Sequence, residues 1–188
     1  MNTLDPVLGE RFTDAVAYAA ELHANQARKA SSIPYMTHLL AVCSLVLEDG
    51  GTEDEAIAAL LHDGPEDQGG QPILDEIGRR FGTHIAAMVD GLSDTLEDPK
   101  PPWHERKAAY LVRLREEPGS VLRVSLADKL HNLRSIAVDG DGVWDRFNAA
   151  KPEQAWYFRE LLAIFDARLG ESRNLPEFRR LVAEVFAP

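Results

Sequence analysis

The sequence predicts an all-α fold, a bundle of about eight to ten helices in a single domain. Three observations lead there. Apolar residues recur at three- and four-residue spacing through most of the chain. No stretch sustains the apolar–polar alternation with β-branched enrichment that marks a strand. Helix-start signals stand in front of several of the periodic runs. With 188 residues, 45% of them apolar, the chain is long enough for one sizeable core and is globular in composition.

The elements follow in order. Phe12, Val16, Ala19, Ala20 and His23 share one face of a first helix over about 10–29. RKASSIPY is a loop, and Pro34 suits the first turn of a second helix over 35–48. DGG at 49–51 breaks it. Thr52 with Glu55 three residues on is a capping box that opens a helix through Leu61, which GPEDQGG ends. Asp75–Phe81 and His84–Leu92 are two short helices broken at Gly82-Thr83, and TLEDPKPPW is a Pro-rich surface connection. Helices over about 103–116, 119–138 and 152–169 come next. Asn174, Pro176 and Glu177 start a last one over 175–186. The chain has no repeat, no low-complexity tract and no linker long enough to divide it.

The net charge of -11 repels nucleic acid and anionic membranes, so neither is an expected partner. A small anionic substrate needs a local basic cluster or a metal to reverse that field. The one cysteine, Cys43 in HLLAVCSLVL, reads as a buried small hydrophobe. It cannot form an internal disulfide, which fits a reducing compartment. The longest apolar runs fall short of a membrane span, and MNTLDPVLGER lacks an export signal. The expected location is cytoplasmic; oligomeric state is not legible.

The chemistry concentrates in ALLHDGPEDQGG, which places His62, Asp63, Glu66 and Asp67 at a helix end. Neighbours on an ideal helix diverge by about 100°, so His62 and Asp63 share a metal only if the helix loosens, which Gly64-Pro65 permits. Two ligands are too few for one ion. In SLADKLHNLRSI, Asp128, Asn132 and Ser135 share one helical stripe, while Leu126, Leu130, Leu133 and Ala137 face the core. The spacing fits equally well an Asp128 that is solvated or paired with Lys129 or Arg134. Of the remaining histidines, His38 is a lone residue early in the second helix and His23 ends the first. His131 flanks the Asp128 stripe, where a contact behind a ligand or plain packing is expected rather than ligation; His84 and His104 have no partner in sequence.

Two or three imidazoles and two carboxylates without a thiolate suit Mn²⁺, Fe²⁺ or Zn²⁺. Glu66 and Asp67 would then lie near enough to orient or deprotonate a water, unless GPEDQGG is only an acidic loop. The Arg28-Lys29 doublet is either a cationic helix end or, beside a metal, a phosphate contact. No Gly-rich phosphate loop and no GxSxG elbow is present, so nucleophilic serine or cysteine chemistry has no support.

Four stretches in order, HANQARKASSIPYMTH, AALLHDGPEDQGG, FGTHIAAMVDGLSD and VSLADKLHNLRSI, span residues 23–136. Together they resemble the HD-domain hydrolases of the RelA/SpoT superfamily, in particular the stand-alone small alarmone hydrolases. The resemblance implies an HD-domain bundle over 1–188, with C-terminal helices at 152–186. It also implies one Mn²⁺ held by His38, His62, Asp63 and Asp128, with Fe²⁺ or Zn²⁺ as alternatives. Glu66 and Asp67 match the family's catalytic pair. Arg28, Lys29, Asn132, Ser135 and Tyr35 match substrate-side positions, Tyr35 with a packing role as an equal alternative.

The implied activity removes the 3′-pyrophosphate of guanosine tetra- or pentaphosphate. The alternatives are an adenine alarmone or the 2′-phosphate of NADPH, or a nucleotide-binding regulator without turnover. The sequence departs from the long relatives in leaving no room for a synthetase domain. Gly64-Pro65 stands where many relatives carry aliphatic residues, and the loop after Arg28-Lys29 is one residue longer than in many of them.

Overall fold

The computed structural model describes residues 8–29, 31–97, 99–140, 142, 144 and 149–187. The expectation about an export signal falls largely on residues 1–7, and Ala30 and Asp98 of two expected loops are likewise outside the described residues.

The described residues form ten helices and no strand beyond one isolated bridge. In chain order they are α1 (Glu10–Leu22), α2 (Met36–Glu48), α3 (Glu53–Leu61), α4 (Gly64–Gln68) and α5 (Gln71–Phe81). They continue with α6 (Thr83–Leu92), α7 (Trp103–Glu116), α8 (Gly119–Asp139), α9 (Lys151–Arg168) and α10 (Leu175–Val185). No described helix is long and apolar enough to cross a membrane.

Helix α3 is the hub. Every residue from Glu55 to Leu61 is buried, and the helix packs against α1, α2, α6 and α8. Nine residues are too few to hold a helix in water unaided. The capping box is present as expected, with the Thr52 side chain accepting from the Glu55 N–H and the Glu55 carboxylate accepting from the Thr52 N–H. Such a cap contributes about 1 kcal/mol. Burying Ile57, Leu60 and Leu61 contributes about 1.5–3 kcal/mol each, so packing rather than capping holds α3 in place.

Helix α8 runs beside it, with Leu126, Leu130 and Leu133 buried as the stripe predicts. Ile136, not Ala137, completes that face; Ala137 is exposed. Arg123 fixes α8 against α3, pairing with Glu55 and with Asp49. Asp49 also accepts from the Ser172 hydroxyl and the Arg173 N–H. This clasp ties the N-terminal part of α8 to the start of α3 and to the segment before α10.

Three local expectations are corrected. The first helix stops at Leu22 rather than near 29, because the backbone at Gln26 and Arg28 pairs with that at Ile33 and Tyr35. Arg28 N–H donates to the Ile33 carbonyl at 2.8 Å and Tyr35 N–H to the Gln26 carbonyl at 2.9 Å. Arg28 and Lys29 therefore ride on a loop, and the reading of a cationic helix end falls. GPEDQ is not simply a terminating loop but the short helix α4, with Pro65 in its first turn and Gly69 and Gly70 at positive φ behind it. Asn174 precedes α10 but makes no side-chain cap; its amide donates instead to the Leu45 carbonyl at 3.0 Å and ties α10 to α2.

Candidate metal centre and active site

The break between α3 and α4 lets two adjacent residues look the same way. His62 keeps helical angles, while Asp63 moves to φ -90°, ψ -7°. Its carboxylate Oδ2 then sits 3.0 Å from His62 Nε2. His38 comes from the first turn of α2 and Asp128 from the middle of α8. His38 Nε2 lies 3.2 Å from Asp128 Oδ1 and 3.5 Å from Asp63 Oδ2. All three of His38, His62 and Asp128 are buried.

These atoms fit a divalent cation. One ligand atom from each of His38, His62 and Asp128 lies within 4.8 Å of the others. Ligands about 2.0–2.2 Å from one ion span such distances. Asp63 faces both imidazoles but stands outside that tightest group, and its Oδ2 accepts from the Tyr35 hydroxyl at 2.6 Å. His62 Nδ1 lies 2.8 Å from the Ala59 carbonyl, which can only accept, so Nδ1 carries a proton and Nε2 is the nitrogen turned toward the carboxylates. That Nε2 is buried and has no hydrogen-bond partner among the described residues. A buried imidazole nitrogen aimed at two carboxylates calls for positive charge between them, which a proton supplies in the metal-free chain and a divalent cation would supply in its place.

The charge balance says the same. Burial works against ionisation throughout, yet Asp63 and Asp128 hold the His62 imidazole well above its ordinary pKa. Both carboxyls stay well below the usual range despite burial, Asp63 through His62 and His38, Asp128 through Lys129 and the two histidines. The pair of carboxylates demands positive charge between them.

His131 stands behind His38, their Nδ1 atoms 2.8 Å apart. Burial, then the neighbouring His38 and Arg28, lower His131 to about 4, so it is neutral near pH 7. A neutral ring accepting at Nδ1 leaves the proton on His38 Nδ1 and turns the His38 Nε2 lone pair toward the carboxylates. Of the two readings of His131 from the sequence, a contact behind a ligand or plain packing, the first matches its place against His38.

Of the two α4 carboxylates, Glu66 lines the small polar pocket over the cluster, about 180 Å³ in volume. Its Oε1 accepts from the Asp94 N–H at 2.8 Å. Burial, with Asp94 and Asp63 nearby, pushes it up to about 7. Asp67 does not line that pocket; it turns outward and accepts from the Gln26 amide at 2.8 Å. Gln26 also contacts His23, which stacks on Tyr35 at 5.1 Å.

Beside the small pocket opens a cavity of about 870 Å³. Arg28, Lys29, Tyr35, Asn132 and Ser135 all line it. Arg28 donates to the Asn132 oxygen at 2.9 Å, and Asn132 donates to Asp128 at 2.7 Å, so the wall is wired to the metal cluster. Arg106, Lys107, Lys129 and Arg134 add positive charge. Lys107 and Arg106 share Asp94, Lys129 pairs with Asp128 and Arg134 with Glu177, so the recess gathers cationic side chains that an acidic chain can offer to phosphate.

Sequence reasoning missed part of this wall. Arg106 and Lys107 both pair with buried Asp94, Lys107 at 2.6 Å. A second Arg-Lys doublet in an acidic chain was the available signal. Tyr157 and Trp103 carried none, since each reads as one more apolar position on a helix. Of the histidines given no role, His84 is exposed and His104 stacks on Trp156 at 4.5 Å.

Residues 15–170 match the HD-domain family model. The chain belongs to the HD-domain family. Among curated proteins this HD-domain chain is similar to the human guanosine-3′,5′-bis(diphosphate) 3′-pyrophosphohydrolase MESH1, 31% identical over 171 residues that cover 89% of each chain. It is 36% identical to the GTP pyrophosphokinase of Streptomyces antibioticus over 65% of this chain but only 14% of that much longer protein. A solved structure described as a metazoan ortholog of SpoT that hydrolyzes ppGpp superposes with a TM-score of 0.77 over 97% of this chain and 98% of the other. At 23% identity that likeness speaks to the fold. A Listeria monocytogenes protein superposes at a TM-score of 0.73, with 27% identity, over 86% of this chain and 100% of its own. The HD-domain bundle expected from the sequence is the observed fold.

Proposed function

We propose that this HD-domain protein hydrolyses the 3′-pyrophosphate of guanosine tetra- and pentaphosphate, giving GDP or GTP and pyrophosphate. The observation that carries the reading is the adjacency of the two recesses. A small acidic pocket with a divalent-ion ligand set opens into a basic cavity large enough for a nucleotide. The similarity to the human 3′-pyrophosphohydrolase over nearly the whole chain supports the same substrate.

His38, His62, Asp63 and Asp128 are the residues to hold the ion, with Mn²⁺ the proposed metal of this thiolate-free site. When bound, the ion supplies Lewis-acid polarisation of a phosphoryl oxygen and lowers the pKa of water. The chain's own residues do the rest. Glu66, poised near neutrality, accepts the proton of the attacking water. Asp67 acts less directly, holding Gln26 and the 26–35 loop that carries Arg28 and Lys29. Arg28, Lys29, Asn132 and Ser135 orient the nucleotide. Tyr35 lines the cavity and steadies Asp63 through its hydroxyl. One domain over 1–188 contains the whole site, and a cytoplasmic setting suits such a substrate.

A product assay with Mn²⁺ tests the reading, offering guanosine tetraphosphate, its adenine analogue and NADPH in parallel. Pyrophosphate released from the first and no phosphate from the last is the expected result. Phosphate from NADPH with the tetraphosphate left intact would replace this substrate with the 2′-phosphate one.

A further inference from the structure

Five residues line both recesses and so form the neck between them: Tyr35, Lys107, Lys129, Asn132 and Tyr157. Four of the five already spend their polar atoms within the protein. The Tyr35 hydroxyl donates to Asp63, the Lys107 ammonium to Asp94, and the Lys129 ammonium and Asn132 amide to Asp128. Tyr157, from α9, is different. Its side chain is 3% exposed, and its hydroxyl oxygen has no hydrogen-bond partner among the described residues. Lys107 lies over its ring at 5.1 Å, and Phe158 and Trp103 pack edge-on against it, so the ring is held in one place. An unmated hydroxyl at this depth is costly and calls for a partner that is not protein.

The neck dictates which part of a nucleotide that partner is. With the scissile phosphorus beside the acidic cluster and the nucleoside in the larger cavity, the atoms crossing the neck are those of the bond between them. We propose that the Tyr157 hydroxyl donates a hydrogen bond to the ribose oxygen that leaves phosphorus, stabilising the charge that grows there. The inference rests on the hydrolysis proposed above. In that step the water oxygen forms a bond to phosphorus and the phosphorus–ribose oxygen bond breaks, its electron pair staying on the ribose oxygen. Water delivers its hydroxyl to the pyrophosphate, and its proton, taken up by Glu66, is returned to the ribose oxygen through solvent. No further reactant is consumed. Burial raises the Tyr157 phenol above its ordinary pKa, so it remains a donor throughout the working pH range.

Tyr157→Phe removes only the hydroxyl and keeps the packed ring. The test compares kcat of wild type and Tyr157→Phe on guanosine tetraphosphate and on its analogue with sulfur at the 3′-bridging position. A thiolate departs without hydrogen-bond help. On the oxygen substrate the variant should lose about 10²-fold in kcat, the scale for one donor at a developing oxyanion, with KM little changed. On the sulfur substrate the two proteins should turn over alike. Equal kcat on the oxygen substrate, or the same loss on both substrates, overturns the assignment. A wild type that leaves guanosine tetraphosphate intact while cleaving another nucleotide overturns the reading of function itself, and the two failures are thereby told apart.

Discussion

The Nδ1 atoms of His38 and His131 face each other at 2.8 Å, and only one of them can carry a proton there. Burial keeps His131 neutral, so His38 donates and its Nε2 is left bare on the side of Asp63 and Asp128. His131→Ala removes the acceptor that orients this imidazole without removing a ligand. Manganese affinity should fall about 10–100-fold, as for other partners standing behind a ligating histidine. Isothermal titration of the chelator-stripped protein measures it; an unchanged affinity would leave His131 as packing.

Asp63→Ala deletes a carboxylate that meets both imidazoles and that Tyr35 holds in place. Metal content and hydrolysis should disappear together. Full turnover by an Asp63→Ala protein shown to be metal-free would end the case for this centre.

Glu66→Gln leaves the His and Asp cluster untouched. The variant should bind the ion as the wild type does and lose about 10²-fold or more in kcat, the usual scale for a general base. Steady-state rates beside elemental analysis separate the two effects, and wild-type turnover would take Glu66 out of the reaction.

The same carboxyl makes a prediction about stability. Its folded pKa of about 7 exceeds the 4.5 of a free glutamate, so the folded chain holds that proton more tightly than the unfolded one. The stability this contributes is complete below about pH 4.5 and is lost as pH rises through 7. In metal-free protein, Glu66→Gln should therefore melt higher than wild type at alkaline pH and converge with it in acid. About 1 kcal/mol corresponds to roughly 2–4 °C in a chain of this size. Melting curves that stay parallel across the range would contradict it.

Arg28 lies on the cavity wall and reaches Asn132 across it. Arg28→Ala should raise KM for guanosine tetraphosphate about tenfold or more, since a charged hydrogen bond contributes about 1.5–3 kcal/mol. The value of kcat should change far less. An unaltered KM would mean that Arg28 serves only to hold Asn132.

Much of this was legible because it rests on local rules. The three- and four-residue periodicity, the Thr52–Glu55 box and the Gly and Pro breaks act over one or two turns, and the helices appear where those signals lie. The signals fail where a distant contact overrules them. The apolar face of α1 runs on past Leu22 in sequence, but pairing of the Gln26 and Arg28 backbones with Tyr35 and Ile33 ends the helix there. Asn174 is a good cap by type, yet the Leu45 carbonyl offers its amide a buried partner.

The sequence alone determined the helical class, the order of the elements and the residue types able to bind a cation, because a helix and its caps depend on near neighbours along the chain. Only the tertiary structure decided which carboxylate faces which imidazole, that Glu66 turns inward while Asp67 turns away, and that Tyr157 closes the neck with a bare hydroxyl. Those relations join α2, α3, α4, α8 and α9 across the core. Side chains far apart in sequence meet there only through packing, which no local spacing encodes.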